Sequence, residues 1–422
     1  MNEEKTLIVD VNEKPAGWQW LFLSFQHVFA MFGATILVPT LTGFPVSVAL
    51  FASGIGTLIY TFFTKGKVPV YLGSSFAYIT AVVLAVKAMG GDISAAQTGL
   101  MMVGMIYVIV AIIIKFTGKG WIDKLLPPIV IGPMIAVIGL GLASNAVTNA
   151  GFVKDGQMTS MVVAIITFLV AALISSKAKG FLKIVPFLVA IIVGYIVSIC
   201  FGLVDFTSVA KAAWLSVPEF SFPFSVPGFR EYSLHFGPET WAILPVAIVT
   251  ISEHIGDHTV LGKICGKNFL KNPGLEKTLI GDGVATAVSA FLGGPANTTY
   301  GENTGVIGLT KIGSVYVTCG AAVIAIILSF CGKISAFIGS IPVCVLGGMS
   351  ILLYGVIASN GLRILIDAQV DFSKQRNLII ASAMLVIGLG GAMFPLGGSA
   401  TLSGTALAAI VGVLLNLLLP KD

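Results

Sequence analysis

Residues 295–305 read Pro-Ala-Asn-Thr-Thr-Tyr-Gly-Glu-Asn-Thr-Gly and interrupt a sequence that is otherwise strongly apolar. This β-prone, glycine-broken stretch carries a carboxylate, Glu302, and cannot cross a bilayer as one regular helix. A second stretch with the same character, Val-Pro-Val-Tyr-Leu-Gly-Ser-Ser, occupies residues 68–75. Non-helical backbone at membrane depth is tolerated only where protein buries it or where it lines a cavity. We therefore predict two broken spans, each with a short β-strand and a half-helix that begins near Ser75 or Glu302.

The composition around these stretches is that of an integral membrane protein. Of the 422 residues, 56% are hydrophobic and only 10% are charged, which excludes an ordinary soluble domain. About fourteen apolar stretches have the length of a membrane span. They start near residues 18, 46, 68, 97, 126, 158, 181, 238, 275, 298, 313, 335, 376 and 400. We predict an all-α polytopic membrane protein of about fourteen transmembrane segments, with short β-strands in broken spans 3 and 10.

The basic residues predict the orientation of the chain. With alternate loops taken as cytoplasmic, 19 of the 24 basic residues lie on the cytoplasmic side. The other five are Lys87, Lys154, Lys211, Arg230 and Lys333. Cytoplasmic loops of membrane proteins carry this excess of Lys and Arg. We expect a multi-pass protein of the plasma membrane, surrounded by lipid, with both termini in the cytoplasm. The net charge of +5 then reflects topology, and we expect no nucleic-acid partner.

The sequence also compares with itself. An offset of 227 aligns Gln26-His27 with Glu253-His254, and Ser75 with Glu302. Seven spans precede the second copy, and because seven is odd, that copy enters the membrane inverted. Two inverted repeats of seven spans are typical of secondary transporters, whose site lies where the copies meet.

Two carboxylates mark a candidate site in the eighth span, which we predict to run from Trp241 to Ile264. Glu253 and Asp257 are four residues apart and share a helix face. At that distance in a partly desolvated site they do not both ionise readily, so one keeps a proton. This favours a proton-coupled site, although neighbouring hydroxyl or backbone groups can also satisfy such a pair structurally. Glu302, at the start of a half-helix, is open to a second interpretation as a helix cap.

Histidines accompany these carboxylates. His254 and His258 have metal-ligand spacing, but His-Ile-Gly-Asp-His is not the zincin pattern, so we predict no metal site and read both as packing or hydrogen-bonding residues. His27, after Gln26, is expected either in a helix–helix contact or beside the site. Asp282 either orients the site from behind or contacts the Lys-rich loop.

Together these residues suggest the shape of a ligand. Glu253 and Glu302 offer acceptors, and backbone near Phe76, Tyr300 and Gly301 offers N–H donors. A planar neutral imide, with N–H donors beside carbonyl acceptors, satisfies that arrangement. A sugar needs more hydroxyl partners and an amino acid needs more balanced charge.

Four separated motifs resemble the signature stretches of the nucleobase/ascorbate transporter family, and most closely its bacterial uracil permease branch. They are Gln-His-Val-Phe-Ala-Met-Phe-Gly-Ala at 26–34, Tyr-Leu-Gly-Ser-Ser-Phe-Ala at 71–77, Ser-Glu-His-Ile-Gly at 252–256, and Asn-Thr-Thr-Tyr-Gly-Glu-Asn-Thr-Gly at 297–305 with Thr310-Lys311 beyond it. The resemblance covers nearly the whole chain.

The resemblance implies a division into domains and a homodimer. It places a cytoplasmic tail at 1–17, a core domain of spans 1–4 and 8–11 at 18–125 and 238–334, a gate domain of spans 5–7 and 12–14 at 126–205 and 335–422, and an extracytoplasmic loop at 206–237. It also implies proton symport of a nucleobase, with no cofactor besides the co-transported H+.

The resemblance also implies roles for single residues. Glu253 and Glu302 would bind N–H groups of the base, and Phe76 and Gly301 would bind its oxygens through backbone N–H, with Tyr300 and Ser75 nearby. Asp257 or His258 would share the proton with Glu253. The supporting residues would be Gln26, His27, Asp282, Asn303 and Thr310.

Two positions favour different substrates. Glu302 resembles the uracil branch, whereas xanthine and urate transporters typically carry Gln there. Asp257 resembles the xanthine and urate branch, because uracil permeases often place His at that point. We expect a uracil:proton symporter and not an enzyme. The alternatives are a purine symporter of the same family, an anion channel or exchanger of similar fold, and an intramembrane metalloenzyme based on His254 and His258.

Overall fold

The computed structural model describes residues 7–183, 185–397 and 400–420. Part of the predicted N-terminal tail, residues 1–6, lies outside this range, as do residues 421 and 422. In the first half the elements are α1 (Gly17–Thr42), α2 (Val46–Phe63), β1 (Leu72–Ser74), α3 (Ile79–Ala88), α4 (Ser94–Thr117), α5 (Gly120–Leu125), α6 (Pro128–Gly141), α7 (Ala143–Asn149), α8 (Met158–Lys177), α9 (Pro186–Cys200) and α10 (Thr207–Lys211).

The second half contains the other strands and helices. They are β2 (Ser221–Phe222), β3 (Arg230–Glu231), α11 (Pro238–Trp241), α12 (Val246–Cys265), α13 (Leu275–Phe291), β4 (Asn297–Thr299), α14 (Gly301–Thr310), α15 (Val315–Ser329), α16 (Gly332–Gly339), α17 (Val343–Asp367), α18 (Gln375–Leu389), β5 (Met393–Gly397), β6 (Ala400–Ser403) and α19 (Gly404–Leu418).

The chain is mostly helical and multi-pass. Among the described residues, six helical segments are long and apolar enough to cross a membrane: α1, α2, α4, α6 with α7, α8 and α17. The pair α15 and α16, bent by 84°, makes a seventh. Shorter apolar helices occupy 76–88, 186–200, 375–389 and 404–418. The count of fourteen spans therefore stays a prediction.

Two predicted span boundaries are wrong. The eighth span is not one helix from Trp241, because α11 ends there and α12 begins at Val246, directly after Pro245. Proline lacks the N–H that a helix interior requires and disfavours helical backbone before it. The twelfth span does not start near residue 335, which lies in the bent helix α16. Its helix, α17, starts at Val343 after Pro342.

The predicted strands of the broken spans are confirmed. β1 and β4 pair antiparallel, with Gly73 opposite Thr298, and all six strand residues are buried. Side chains satisfy the outer edges: the Leu72 N–H donates to Thr57 Oγ1 on α2 (2.9 Å), and Thr286 Oγ1 on α13 donates to Asn297 O (2.5 Å). The pair therefore has the internal hydrogen bonding that non-helical backbone requires inside a membrane protein.

Other strands were not predicted. β5 and β6 form an antiparallel hairpin before α19, and β2 pairs with β3 in the long loop. The hairpin occupies the stretch where the sequence predicts the start of the last span. Pro395 and the glycines around it interrupt the helix there, so α19 begins only at Gly404.

The helices pack in two groups. In the first, α13 packs against α2 and α4, and α2 packs against α15. In the second, α17 packs against α6, α8 and α9. The α6–α17 crossing is close because it uses glycine: a Cβ on Gly361 would lie 2.5 Å from the carbonyl oxygen of Gly132.

Candidate functional site

The helix α12, which contacts α14, α4 and α13 and also α6 and α19, presents two different faces. Glu253 and Asp257 are only partly buried, whereas His254 and His258, one residue later in each case, are fully buried. Residues four apart lie on the same face of a helix, so the sequence separates a carboxylate face from a histidine face. The carboxylate face is the accessible one.

The carboxylate face of α12 is held against the end of β4. Thr299 Oγ1 donates a 2.6 Å hydrogen bond to Asp257 Oδ2, which fixes that carboxylate beside the start of α14. Glu253 lies close enough to both Asp257 and Glu302 for their charges to interact. The structure thus brings together the three carboxylates that the sequence singled out.

The half-helix α14 supplies the second wall. Tyr300 is its N-cap residue, and Gly301 and Glu302 follow in the first turn. First-turn N–H groups have no acceptor within the helix and carry the positive end of its dipole. Tyr300 is thus the N-cap residue, without a side-chain capping hydrogen bond, and Glu302 is the acidic residue of the first turn.

Open space adjoins these two walls. A Cβ placed on Gly256, Gly301 or Gly305 would meet no atom within 4 Å. Gly301 is exposed, and Glu302 beside it is partly exposed. The glycines of α12 and α14 therefore leave their backbone open to the approach of a small planar molecule.

The other half-helix contributes Phe76. A turn of 3₁₀-helix covers 76–78 and leads into α3, so the Phe76 N–H also lies in a first turn. The ring of Phe76 is partly exposed and meets the ring of Tyr354 on α17 edge-on, with centroids 6.1 Å apart. Ser75 is buried, and its Oγ has no hydrogen-bond partner among the described residues.

The sequence predicts a free backbone donor near Tyr300, but the N–H of Tyr300 itself is already engaged. Its N–H donates to Tyr71 O (3.0 Å), at one end of the β1–β4 ladder. Its hydroxyl donates to Ser74 O (3.1 Å) and lies 3.2 Å from Thr35 Oγ1. Phe76 and Gly301 therefore remain as the candidate backbone donors, while Tyr300 joins the two half-helices.

The helix α1 supports α14 from the other side. Asn303 Nδ2 donates to His27 Nδ1 (3.0 Å) and to His27 O (3.1 Å), one residue after Glu302. Gln26 is buried next to His27 on α1. His27 therefore makes a helix–helix contact, and that contact also places it beside the candidate site.

The histidine face of α12 forms a buried polar cluster. His254 Nδ1 lies 2.8 Å from Asp282 Oδ2, and its Nε2 lies 3.0 Å from Thr278 Oγ1. Since Thr278 Oγ1 donates to Leu275 O (3.0 Å), it accepts the proton of His254 Nε2. Asp282 therefore orients α12 from behind, one of the two roles that the sequence left open for it.

His258 completes this cluster. Its Nδ1 donates to His254 O (2.7 Å), and its Nε2 accepts from the Tyr60 hydroxyl. The rings of His254 and His258 stack with centroids 4.0 Å apart. Because protein groups engage these ring nitrogens, the histidines act as hydrogen-bonding residues, and Asp257 is better placed than His258 to share a proton with Glu253. Among the residues described, no group of three or more His, Cys, Asp or Glu side chains is arranged to hold a metal.

One candidate is not brought to the site. Thr310 ends α14, where its hydroxyl donates to Val306 O (2.8 Å). It lies eight positions along the helix from Glu302, about 12 Å away. Conversely, sequence reasoning missed Thr299, Tyr60, Thr278 and Tyr354. Thr299 stands inside the quoted 297–305 motif, but no local pattern pointed to the other three.

Comparison with known proteins identifies the family. A family model for xanthine and uracil permeases, described as Permease family, matches residues 18–397. The chain belongs to the nucleobase/ascorbate transporter family. Members of this family are permeases, that is, transporters and not enzymes.

Curated members of the family match over nearly the full length. A uracil permease of Bacillus caldolyticus is 52% identical, covering 98% of this chain and 95% of its own. A uracil permease of Bacillus subtilis is 48% identical, with 99% and 96% covered. In fold, the chain is similar to the transmembrane domain of the cyanobacterial bicarbonate transporter BicA (TM-score 0.64, 15% identity, 95% of this chain and 97% of that one covered).

Proposed function

We propose that this protein is a secondary transporter that imports uracil together with a proton across the plasma membrane. The observation that carries the proposal is the meeting of Glu253, Asp257 and Glu302 at an open space faced by the first turns of two half-helices. Ionisable groups inside membrane proteins usually mark a substrate or ion pathway. The full-length similarity to uracil permeases supplies the substrate.

The chemistry of uracil matches these groups. Its ring N–H groups would donate to the carboxylates of Glu253 and Glu302. Its carbonyl oxygens would accept from the backbone N–H of Phe76 and Gly301. The Phe76 ring would cover one face of the base, since a planar aromatic wall binds a planar heterocycle without charge.

The proton would be shared by Glu253 and Asp257. The two carboxylates stand one helical turn apart, and Thr299 already donates to Asp257. Protonation of Glu253 would neutralise part of the site when substrate is bound, and that would allow the loaded site to change its exposure. Release of the base and the proton on the cytoplasmic side would reset the protein.

Alternating access would require two bodies, and the packing pattern is consistent with two inverted repeats of seven spans. The repeat pairs spans 5, 6 and 7 (α6, α8 and α9) with spans 12, 13 and 14 (α17, α18 and α19). The contact of α17 with α8 then corresponds to that of α6 with α18, and the contact of α17 with α9 corresponds to that of α6 with α19. Spans 1–4 and 8–11 would form the core domain, and spans 5–7 and 12–14 the gate domain. A homodimer remains a prediction that rests on the family resemblance.

The proposed orientation also has local support. Residues 8–11 pair with 311–315, and Lys267 Nζ lies 2.7 Å from Asp10 Oδ1. Asn416, near the end of α19, donates to Lys124 O (2.9 Å). Both ends of the described chain therefore lie beside the basic loops, as cytoplasmic termini would.

A purine symporter is the second candidate, because Asp257 is the residue expected of xanthine and urate transporters. The similarity to BicA concerns the fold alone, and three carboxylates around the site disfavour an anion as substrate.

Competition distinguishes these functions: labelled uracil uptake into proteoliposomes is measured with excess unlabelled uracil, xanthine or bicarbonate, with protein-free liposomes as background. We expect only uracil to compete. Uptake abolished by xanthine would favour the purine symporter, and absence of uracil uptake would reject the proposal.

A further inference from the structure

A polar cavity lies away from the carboxylate site, where α5 and the start of α6 meet the start of α18 and the end of α19. Its volume is about 280 Å3. Three cationic side chains, one carboxylate and two amides line it: Lys124, Lys374, Arg376, Asp123, Asn377 and Asn416. None of these residues takes part in the transport site described above.

The lining carries an excess of positive charge. Three cations line the cavity beside one carboxylate, and Asp123 already has a partner outside the cavity, Lys119 Nζ at 3.7 Å. Lys374 lies close enough to Asp371 for their charges to interact, which offsets part of its charge. The remaining excess of positive charge around the cavity favours an anionic ligand.

Arg376 is held in place to receive such a ligand. Its Nη2 donates to Asn416 O (2.8 Å) and to Asn416 Oδ1 (2.6 Å). Asn416 is itself fixed by its hydrogen bond to Lys124 O. Arg376 Nε is buried without a hydrogen-bond partner among the residues described, so this donor still needs an acceptor.

The first turn of α18 adds to this field. The helix begins at Gln375 and runs for 15 residues, and Lys374 at its N-cap makes no side-chain cap. Its first N–H groups, with the positive end of the helix dipole, lie beside Arg376 and Lys374. Guanidinium, ammonium and helix N-terminus are the groups with which proteins bind phosphate.

Exposed apolar side chains neighbour two of the cavity residues in sequence. Leu378 follows Asn377 and is 45% exposed, and Leu417 follows Asn416 and is 60% exposed. A lipid whose headgroup occupied the cavity would find such apolar side chains on α18 and α19 for its acyl chains, as at basic pockets between membrane helices.

We propose that this cavity binds the phosphate group of an anionic ligand at the membrane surface, from either an anionic phospholipid or a soluble phosphate compound. Such a ligand would join α5, the connector between α4 and α6, to α18 and α19. The cavity would then link the two predicted domains.

The test measures binding to the purified full-length protein. Native mass spectrometry records the retention of phosphatidylglycerol against phosphatidylcholine, and a parallel arm records the shift in melting temperature caused by inorganic phosphate. We expect Lys374→Gln and Arg376→Gln each to weaken binding about fivefold, as for the loss of one basic group. Lys374→Gln distinguishes loss of binding from misfolding. Lys374 is exposed, whereas Arg376 also donates a hydrogen bond to Asn416 that its substitution would remove.

The matched control is Arg363→Gln, which removes a charge from an exposed pair with Asp367 outside the cavity. Preferential retention of phosphatidylglycerol that both cavity variants lose would identify the lipid as the source. Stabilisation by inorganic phosphate without lipid preference, lost in Lys374→Gln, would identify a soluble phosphate. Binding of both ligands unchanged in the two cavity variants, or weakened equally in the control, would overturn the proposal.

Discussion

Among single residues, four acidic side chains on α12, α13 and α14 have distinct environments. Glu253, Asp257 and Glu302 keep part of their surface accessible, whereas Asp282 is completely buried against His254. An accessible carboxylate beside open space can exchange protons and bind a ligand. A buried one with a fixed partner can only position its neighbours. The two groups therefore predict different outcomes on substitution.

Glu302→Gln should weaken uracil binding and leave the protein stable. The substitution keeps the size of the side chain but removes the charge that strengthens its hydrogen bond to a ring N–H. The amide oxygen of Gln still accepts the N–H, so the loss is the difference between a charged and a neutral hydrogen bond, about 1–1.5 kcal/mol, and affinity should fall by roughly five- to tenfold. Competition of labelled uracil by unlabelled uracil measures this, with the exposed Glu231→Gln as a matched control. Unchanged affinity in Glu302→Gln would remove Glu302 from the site.

Asp282→Ala should destabilise the protein itself. His254 would then keep a buried ring nitrogen without its hydrogen-bond partner, and an unsatisfied buried polar group costs about 1–3 kcal/mol. The apparent melting temperature in detergent should fall clearly. Asp367→Ala, which breaks an exposed pair with Arg363, should change stability by less than about 1 kcal/mol. Equal melting temperatures in the two variants would contradict the role given to Asp282.

The sequence singles out the carboxylates but not their partners. Glu253, Asp257 and Glu302 are conspicuous because charge is rare in apolar sequence. Thr299, which holds Asp257, is 42 positions away from it, and Tyr60, which holds His258, is 198 positions away. Hydroxyl residues are common in membrane helices, so only the fold shows which of them meet the site.

At the scale of elements, the two broken spans determine the geometry of the site. Glycine and proline predicted the short strands, and the structure adds why glycine is needed at one position of β1. Gly73 lies against the ring of Tyr300, and a Cβ there would lie 2.8 Å from its hydroxyl oxygen and nearer still to the ring. The packing of the Tyr300 ring against β1 therefore requires glycine at residue 73.

Gly73→Ala should push the half-helices apart. Forcing an extra carbon into a filled space costs about 1–3 kcal/mol, and any displacement moves Phe76 relative to Gly301. Both the melting temperature and uracil affinity should fall. The control is Gly355→Ala on α17, where a Cβ meets no atom within 4 Å and alanine slightly stabilises the helix. Wild-type uracil affinity in Gly73→Ala would contradict the importance given to the contact between Gly73 and the Tyr300 ring.

Sequence reasoning was less successful with helix boundaries and with the β5–β6 hairpin. It joined α11 to α12 across Pro245, and it placed a span over the bent helix α16. Apolar composition is the same on both sides of these breaks, so hydropathy alone does not show where a helix bends. The local prolines are the signal that was underused.

At the scale of the whole molecule, the repeat and the charge asymmetry carry most of the account. Composition established a multi-pass membrane protein, and an ungapped offset of 227 aligns Ser75 with Glu302, each of which lies at the start of a half-helix. The direction and extent of domain motion depend on differences between conformational states, which no residue pattern encodes.

Proton-driven accumulation of uracil tests the central claim most directly. The protein is reconstituted into proteoliposomes in sodium-free buffer with an acidic exterior, and labelled uracil inside is followed with and without a protonophore. The account predicts uracil accumulation above the external concentration, its collapse on addition of the protonophore, and its loss in Glu253→Ala. Accumulation that persists in Glu253→Ala, or uptake that ignores the proton gradient, would contradict it.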